Sequence, residues 1–284
     1  MAAVGAACSD GATSESSDTI GGSSATTAPE PTASLVPQTT VSLSTTTTLA
    51  ELPARPGVET LSLKAGPFHI EPGQNNIDNL FGIPQPEVDG FIVGFRPDLT
   101  YLDGTVPRVD VVHLHHGVWL NGSAADATAA LPERFFAAGE EKTILSLPEP
   151  YGYRYRATDR WFLNYMLHNL TPDATDVWVT YDIDFIPADS PQSAGIIDAR
   201  PVWMDVQNGS GYPVFDVLRG DGDGVTSTYP DDAAPYGTGP ALNEWTVDRD
   251  SVLVATAAHL HPGGLHGDLR VRRGTEVAPL FRSE

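Results

Sequence analysis

The stretch Val177-Trp-Val-Thr-Tyr-Asp-Ile-Asp-Phe185 decides the fold class. In an extended chain, Val177, Val179, Tyr181, Ile183 and Phe185 fall on one side, and Trp178, Thr180, Asp182 and Asp184 fall on the other. That alternation with period two describes a strand with one buried face. Working outward, short apolar runs recur at 61–65, 90–95, 109–115, 163–168 and 251–261, and each reads as a strand. Gly, Pro, Asn and Asp separate them, and the chain carries 27 Gly and 24 Pro. No stretch of helical period exceeds about two turns, residues 124–136 being the best candidate helix. Short strands punctuated in this way predict an all-β protein of sandwich type.

Pro187, Ser190 and Pro191 end the long strand, which places a break at 188–195. The expected organisation is two jelly-roll-like β-sandwich domains in tandem. Residues 58–190 form the first, and residues 191–284 form a second, incomplete one. Residues 1–57 precede both. From 9 to about 50 they are Ser, Thr, Ala, Gly and Pro, with too little apolar surface to offset the entropy of ordering, so a flexible tether is expected.

Of the 284 residues, 16 are Lys or Arg and 37 are Asp or Glu, a formal charge of -21. Such a surface repels polyanions, which excludes nucleic acid and anionic lipid surfaces as expected partners. Cys8 is the one cysteine, so neither an intrachain disulfide nor a Cys-rich zinc site is available. No apolar run approaches the length of about 20 residues that spans a bilayer. The opening Met-Ala-Ala-Val-Gly-Ala-Ala-Cys8 reads like the end of a signal peptide, and Cys8 followed by Ser-Asp-Gly looks like the lipidated cysteine of a bacterial lipoprotein. The expected location is extracytoplasmic, secreted or held at the cell envelope through a lipid anchor at Cys8.

The eight histidines are grouped. His113, His115 and His116 share one expected strand, His168 ends another, and His259 and His261 share a third. Residues i and i+2 of a strand point to the same face about 6.5–7 Å apart, so two imidazoles at that spacing can close on one ion given a third ligand. His113/His115 and His259/His261 meet the spacing. His115 and His116, being adjacent, point to opposite faces unless the strand is bulged or ends there, which Gly117 would permit. Burying several imidazoles without a metal requires a partner for every ring nitrogen, which makes metal binding the better reading of both groups. Imidazoles without thiolates suit copper or zinc, and affinity order favours copper. His69 and His266 read as structural histidines, Glu140-Glu141 as a solvated turn, and Asp221-Gly-Asp-Gly224 as an acidic surface turn.

Taken in order, Phe91-Ile-Val-Gly-Phe-Arg-Pro, Val111-Val-His-Leu-His115-His116 and Asn164-Tyr-Met-Leu-His168-Asn169 resemble the N-terminal domain of the ascorbate-dependent type II copper monooxygenases. That family includes the peptidylglycine α-hydroxylating and dopamine β-hydroxylating enzymes. The resemblance covers roughly residues 66–273, in patches. It implies two mononuclear copper sites, the first on His115, His116 and His168, with His113 as the alternative ligand. The second would lie on His259 and His261. It also implies ascorbate or another reductant, dioxygen, and a small-molecule substrate that is hydroxylated.

Two departures qualify what the resemblance implies. The family's second copper takes a Met downstream of the His-x-His pair, whereas no Met follows Met204, so this site is expected to be incomplete. The arginine that grips a peptide carboxylate is replaced by Ala257, which argues against a peptide substrate. A non-catalytic copper-binding or copper-buffering envelope protein therefore stands beside the enzyme. A third reading is a structural or carbohydrate-binding sandwich displaying Trp119, Trp161, Trp178, Trp203 and Trp245.

Overall fold

The computed structural model describes residues 55–204, 245–259 and 266–283. Its strands are β1 (Glu59–Ile70), β2 (Asn75–Phe81), β3 (Gly90–Tyr101), β4 (Val112–Ala125), β5 (Pro132–Gly139) and β6 (Leu145–Ser146). They continue as β7 (Tyr151–Tyr155), β8 (Trp161–Asn169), β9 (Thr175–Pro187), β10 (Ile197–Asp198), β11 (Gly267–Arg273) and β12 (Glu276–Ser283). A six-stranded sheet runs in the order β1-β9-β3-β7-β10, with β6 also paired to β3. A four-stranded sheet runs β2-β8-β4-β5, and β11 and β12 form a hairpin. Pairing is antiparallel except between β10 and β7. The all-β class expected from the sequence is what the chain adopts.

The first two sheets bury a shared core. β9 contributes Val177, Val179, Tyr181, Ile183 and Phe185, all fully buried, while Trp178, Thr180, Asp182 and Asp184 stay half-exposed. The opposite sheet answers with Leu114, Trp119, Phe136, Leu163 and Leu167. Phe95 of β3 bridges the layers, with ring centroids 4.4 Å from Phe136, 5.1 Å from Trp119 and 5.7 Å from Tyr181. Offset and edge-on aromatic contacts at this spacing add to the area they remove from water.

Two expected elements come out differently. Residues 124–136 are the end of β4, a tight turn and the start of β5 rather than a helix. The Asp126 carboxylate accepts hydrogen bonds from the backbone N–H groups of Thr128 and Ala129 and the Thr128 hydroxyl, and pairs with Arg134. A side chain that serves its own backbone in this way stabilises a turn against a helix. Residues 251–259 have the apolar content of a strand but join no ladder among the described residues, and Val252 and Leu253 are exposed. A strand needs a hydrogen-bonding neighbour, and β-propensity alone does not supply one.

The expected break at 188–195 is where the chain leaves β9, turns through a short 3-10 helix (Pro191–Ser193) and adds β10 beside β7. The tether, Cys8 and the Asp-Gly repeat at 221–224 lie outside the described residues.

Candidate metal centre

β4 brings its histidines to one face by a local irregularity. Against β8, Val112 pairs with Asn169, His113 with His168 and Leu114 with Leu167; the register then shifts, so that His116 pairs with Met166 and Gly117 with Tyr165. His115 is the extra residue of a β-bulge. Before it Leu114 points into the core, and after it Gly117 and Trp119 do. His113, His115 and His116 are thereby left together on the outer face of the four-stranded sheet. The His115 and His116 ring centroids are 4.3 Å apart, which a regular strand would not allow.

His168 reaches the same face from the neighbouring strand. Its ring stacks on His115 at 4.3 Å between centroids and lies 4.9 Å from His113. The fourth group is Glu140, the first residue after β5, which lands here because Gly139 is the partner of His116 in the β4–β5 ladder. One donor atom from each of His113, His115, His168 and Glu140 lies within 4.8 Å of the others. Individual separations are shorter: His113 Nε2 to His168 Nδ1 is 3.1 Å, His113 Nε2 to Glu140 Oε1 is 3.1 Å, and His115 Nδ1 to Glu140 Oε1 is 2.5 Å. A tetrahedral ion with ligand distances of about 2.0–2.1 Å sets its donors roughly 3.3 Å apart, so small side-chain movements suffice to admit one.

The rings are oriented from behind. His168 Nε2–H donates to Asn75 Oδ1 at 2.5 Å, which leaves Nδ1 carrying the lone pair that faces the cluster. His113 is buried, and its Nδ1 has no hydrogen-bond partner among the described residues, so the ring engages polar groups only through Nε2. Burial, reinforced by the neighbouring His115 and His113, pushes the His168 imidazole down to about 4, so it is neutral and ligand-ready at physiological pH. Burial tends to raise the Glu140 carboxyl, but the His115 hydrogen bond and the surrounding imidazoles more than offset it and hold it below its usual range. A neutral His168 beside an ionised Glu140 gives these two groups the protonation states that metal binding requires. Beside His113 and Glu140 lies a hollow of about 20 Å³, room for water.

No family model, curated protein or solved structure matches this chain.

Of the residues singled out in the sequence, the structure brings His113, His115 and His168 together. His116 stands next to them but turns towards His259, the two Nε2 atoms lying 2.9 Å apart. Among the described residues, the alternative ligand His113 has a donor atom within 4.8 Å of those of His115, Glu140 and His168. Met166 is the cross-strand partner of His116, and Met204 is partly exposed elsewhere. His261 lies outside the described residues, so its pairing with His259 is not described.

Glu140 and Glu141 stand in an exposed turn, as expected, and each also contacts histidine, Glu141 Oε2 lying 3.2 Å from His259 Nδ1. His69 bonds Asp176 at the surface, which fits its structural reading. Chemically, three imidazoles and one carboxylate make a nitrogen-rich set suited to a borderline transition ion, and four donors are the number a closed tetrahedral site uses.

Proposed function

We propose that this chain is an extracytoplasmic copper-binding protein that holds one ion on His113, His115, His168 and Glu140. The observation that carries the reading is the convergence of four donor atoms within 4.8 Å from three different strands or strand ends. Gathering one buried and two half-buried imidazoles around an anion is costly unless their nitrogens have a shared task. Copper heads the affinity order for such a site, with zinc the rival ion. The likeness to the type II copper monooxygenases supports the same metal, with the ligand set displaced from His116 to His113.

A filled four-donor set favours holding or buffering copper over turning it over, because catalytic sites keep a coordination position open. Hydroxylation of a small substrate with dioxygen and a reductant such as ascorbate is the second reading. It is favoured by Glu140, whose side chain is 47% exposed and is the donor best placed to yield a position. The sugar-platform reading is the weakest. Trp119 and Trp161 are core residues, and Lys64, Arg134 and Arg200 lie over the faces of Trp178, Trp203 and Trp245 at 4.4, 4.9 and 5.8 Å.

Metal analysis after dialysis against copper(II) tests the proposal. His113→Ala and His168→Ala should each lower the copper count by one per chain. An unchanged count in His113→Ala would return the site to His115, His116 and His168. No uptake by the parent protein would end the metal reading altogether.

A further inference from the structure

Beside the first cluster, His116 of β4 and His259 of the segment 245–259 face one another. Their Nε2 atoms are 2.9 Å apart and their ring centroids 4.8 Å apart. His259 is held from behind, its Nδ1 lying 3.2 Å from Glu141 Oε2. Glu141 is itself fixed, Oε1 accepting from the Gly139 backbone N–H at 2.9 Å and from the Thr143 hydroxyl at 2.7 Å. A carboxylate on Nδ1–H sets the imidazole tautomer, leaves the lone pair on Nε2 and raises its basicity, which is the arrangement metal-ligating histidines use. In His259 that lone pair is aimed at His116.

Gly139 shows how closely this ring is seated. A Cβ there would lie 2.6 Å from the His115 carbonyl oxygen, 2.8 Å from Glu141 Oε2 and 3.0 Å from His259 Cε1. A side chain at 139 would collide with the His115 carbonyl first and would also crowd the His259 ring. The segment carrying His259 joins no strand ladder among the described residues, so side-chain contacts must fix it at this point.

We infer that His116 and His259 hold a second transition-metal ion, oriented through Glu141, and that this ion fastens residues 251–259 to the end of the β4–β5 hairpin. The two sites are interleaved: His115 and Glu140 are ligands of one ion, and of their chain neighbours His116 is a ligand of the other while Glu141 orients His259. The bulge at His115 makes this possible, since it keeps adjacent histidines on one face. The second ion requires none of the four donors of the first.

Equilibrium dialysis of the full chain against copper(II), and separately zinc(II), tests the inference. The parent protein should take up two ions per chain, and His116→Ala or His259→Ala one. Glu141→Gln, which removes no ligand, should weaken the second ion by about 10–100-fold and leave the first unchanged. Hydrogen exchange of residues 251–259 should slow on metal addition in the parent and not in His116→Ala. Two ions retained by both histidine variants would overturn the second site. So would a single ion that is lost in His168→Ala and kept in His259→Ala, an outcome that leaves the first site standing. The converse, a single ion lost in His259→Ala and kept in His168→Ala, would support this site and defeat the first.

Discussion

Asp126 and Arg134 show how much a single buried pair contributes away from the histidines. The pair is almost completely buried, with side-chain exposures of 2% and 9%. Burial works against the Asp126 charge, but the Arg134 guanidinium and the Thr128 hydrogen bonds outweigh it and bring the carboxyl down to about 2. A carboxyl depressed from 3.8 contributes stability that is present above its unfolded value and lost as pH falls through the folded one. That contribution, on the order of 2 kcal/mol, should disappear between roughly pH 4 and pH 2 in acid unfolding. Asp126→Ala should cost about 3–5 kcal/mol in denaturant titrations, because Arg134 is left buried and unpaired.

At the same scale, His113, His115 and His168 were legible as metal-capable, since spacing along a strand is a property of the sequence. Glu140 was not. Its position depends on which residue of β5 pairs with His116, and that register is set by the Asp126 turn and two irregularities in the ladder. The direction of His116 was open for the same reason, since only a bulge puts it on the face of His115.

Among elements, β3 and β9 form the most extensive ladder of the larger sheet, and their closeness rests on Gly90. A Cβ there would lie 2.3 Å from the Phe185 ring and 2.5 Å from the Ile186 carbonyl oxygen. Gly90→Ala should therefore destabilise the protein by about 1–3 kcal/mol, read as a lower thermal midpoint. Leu163 of β8 is fully buried, and Leu163→Ala should cost about 2–5 kcal/mol. β9 was readable residue by residue because one face is core and the other is not. Residues 251–259 misled for the opposite reason: their apolar content was visible, but whether a neighbour pairs with them is a property of the whole fold. Residues 124–136 misled because the local hydrogen bonding of Asp126 outweighed a short helical periodicity.

For the molecule as a whole, an ion that binds the folded chain and not the unfolded one must raise stability. Free metal at 100 times its Kd should add about 2.7 kcal/mol per site, seen as a thermal midpoint that rises with copper and falls again with a chelator. The all-β class was legible throughout, from strand period and turn residues alone. The meeting of His113, His115, His168 and Glu140 depends instead on residue 140 returning beside residue 115, and no local pattern encodes that. The most direct measurement is an anomalous difference map at the copper edge, from crystals of the copper-loaded protein. The expected result is a peak bounded by His113 Nε2, His115, His168 Nδ1 and Glu140, about 2 Å from each nitrogen. A peak held by His115, His116 and His168 without His113, or no peak on this face, would contradict it.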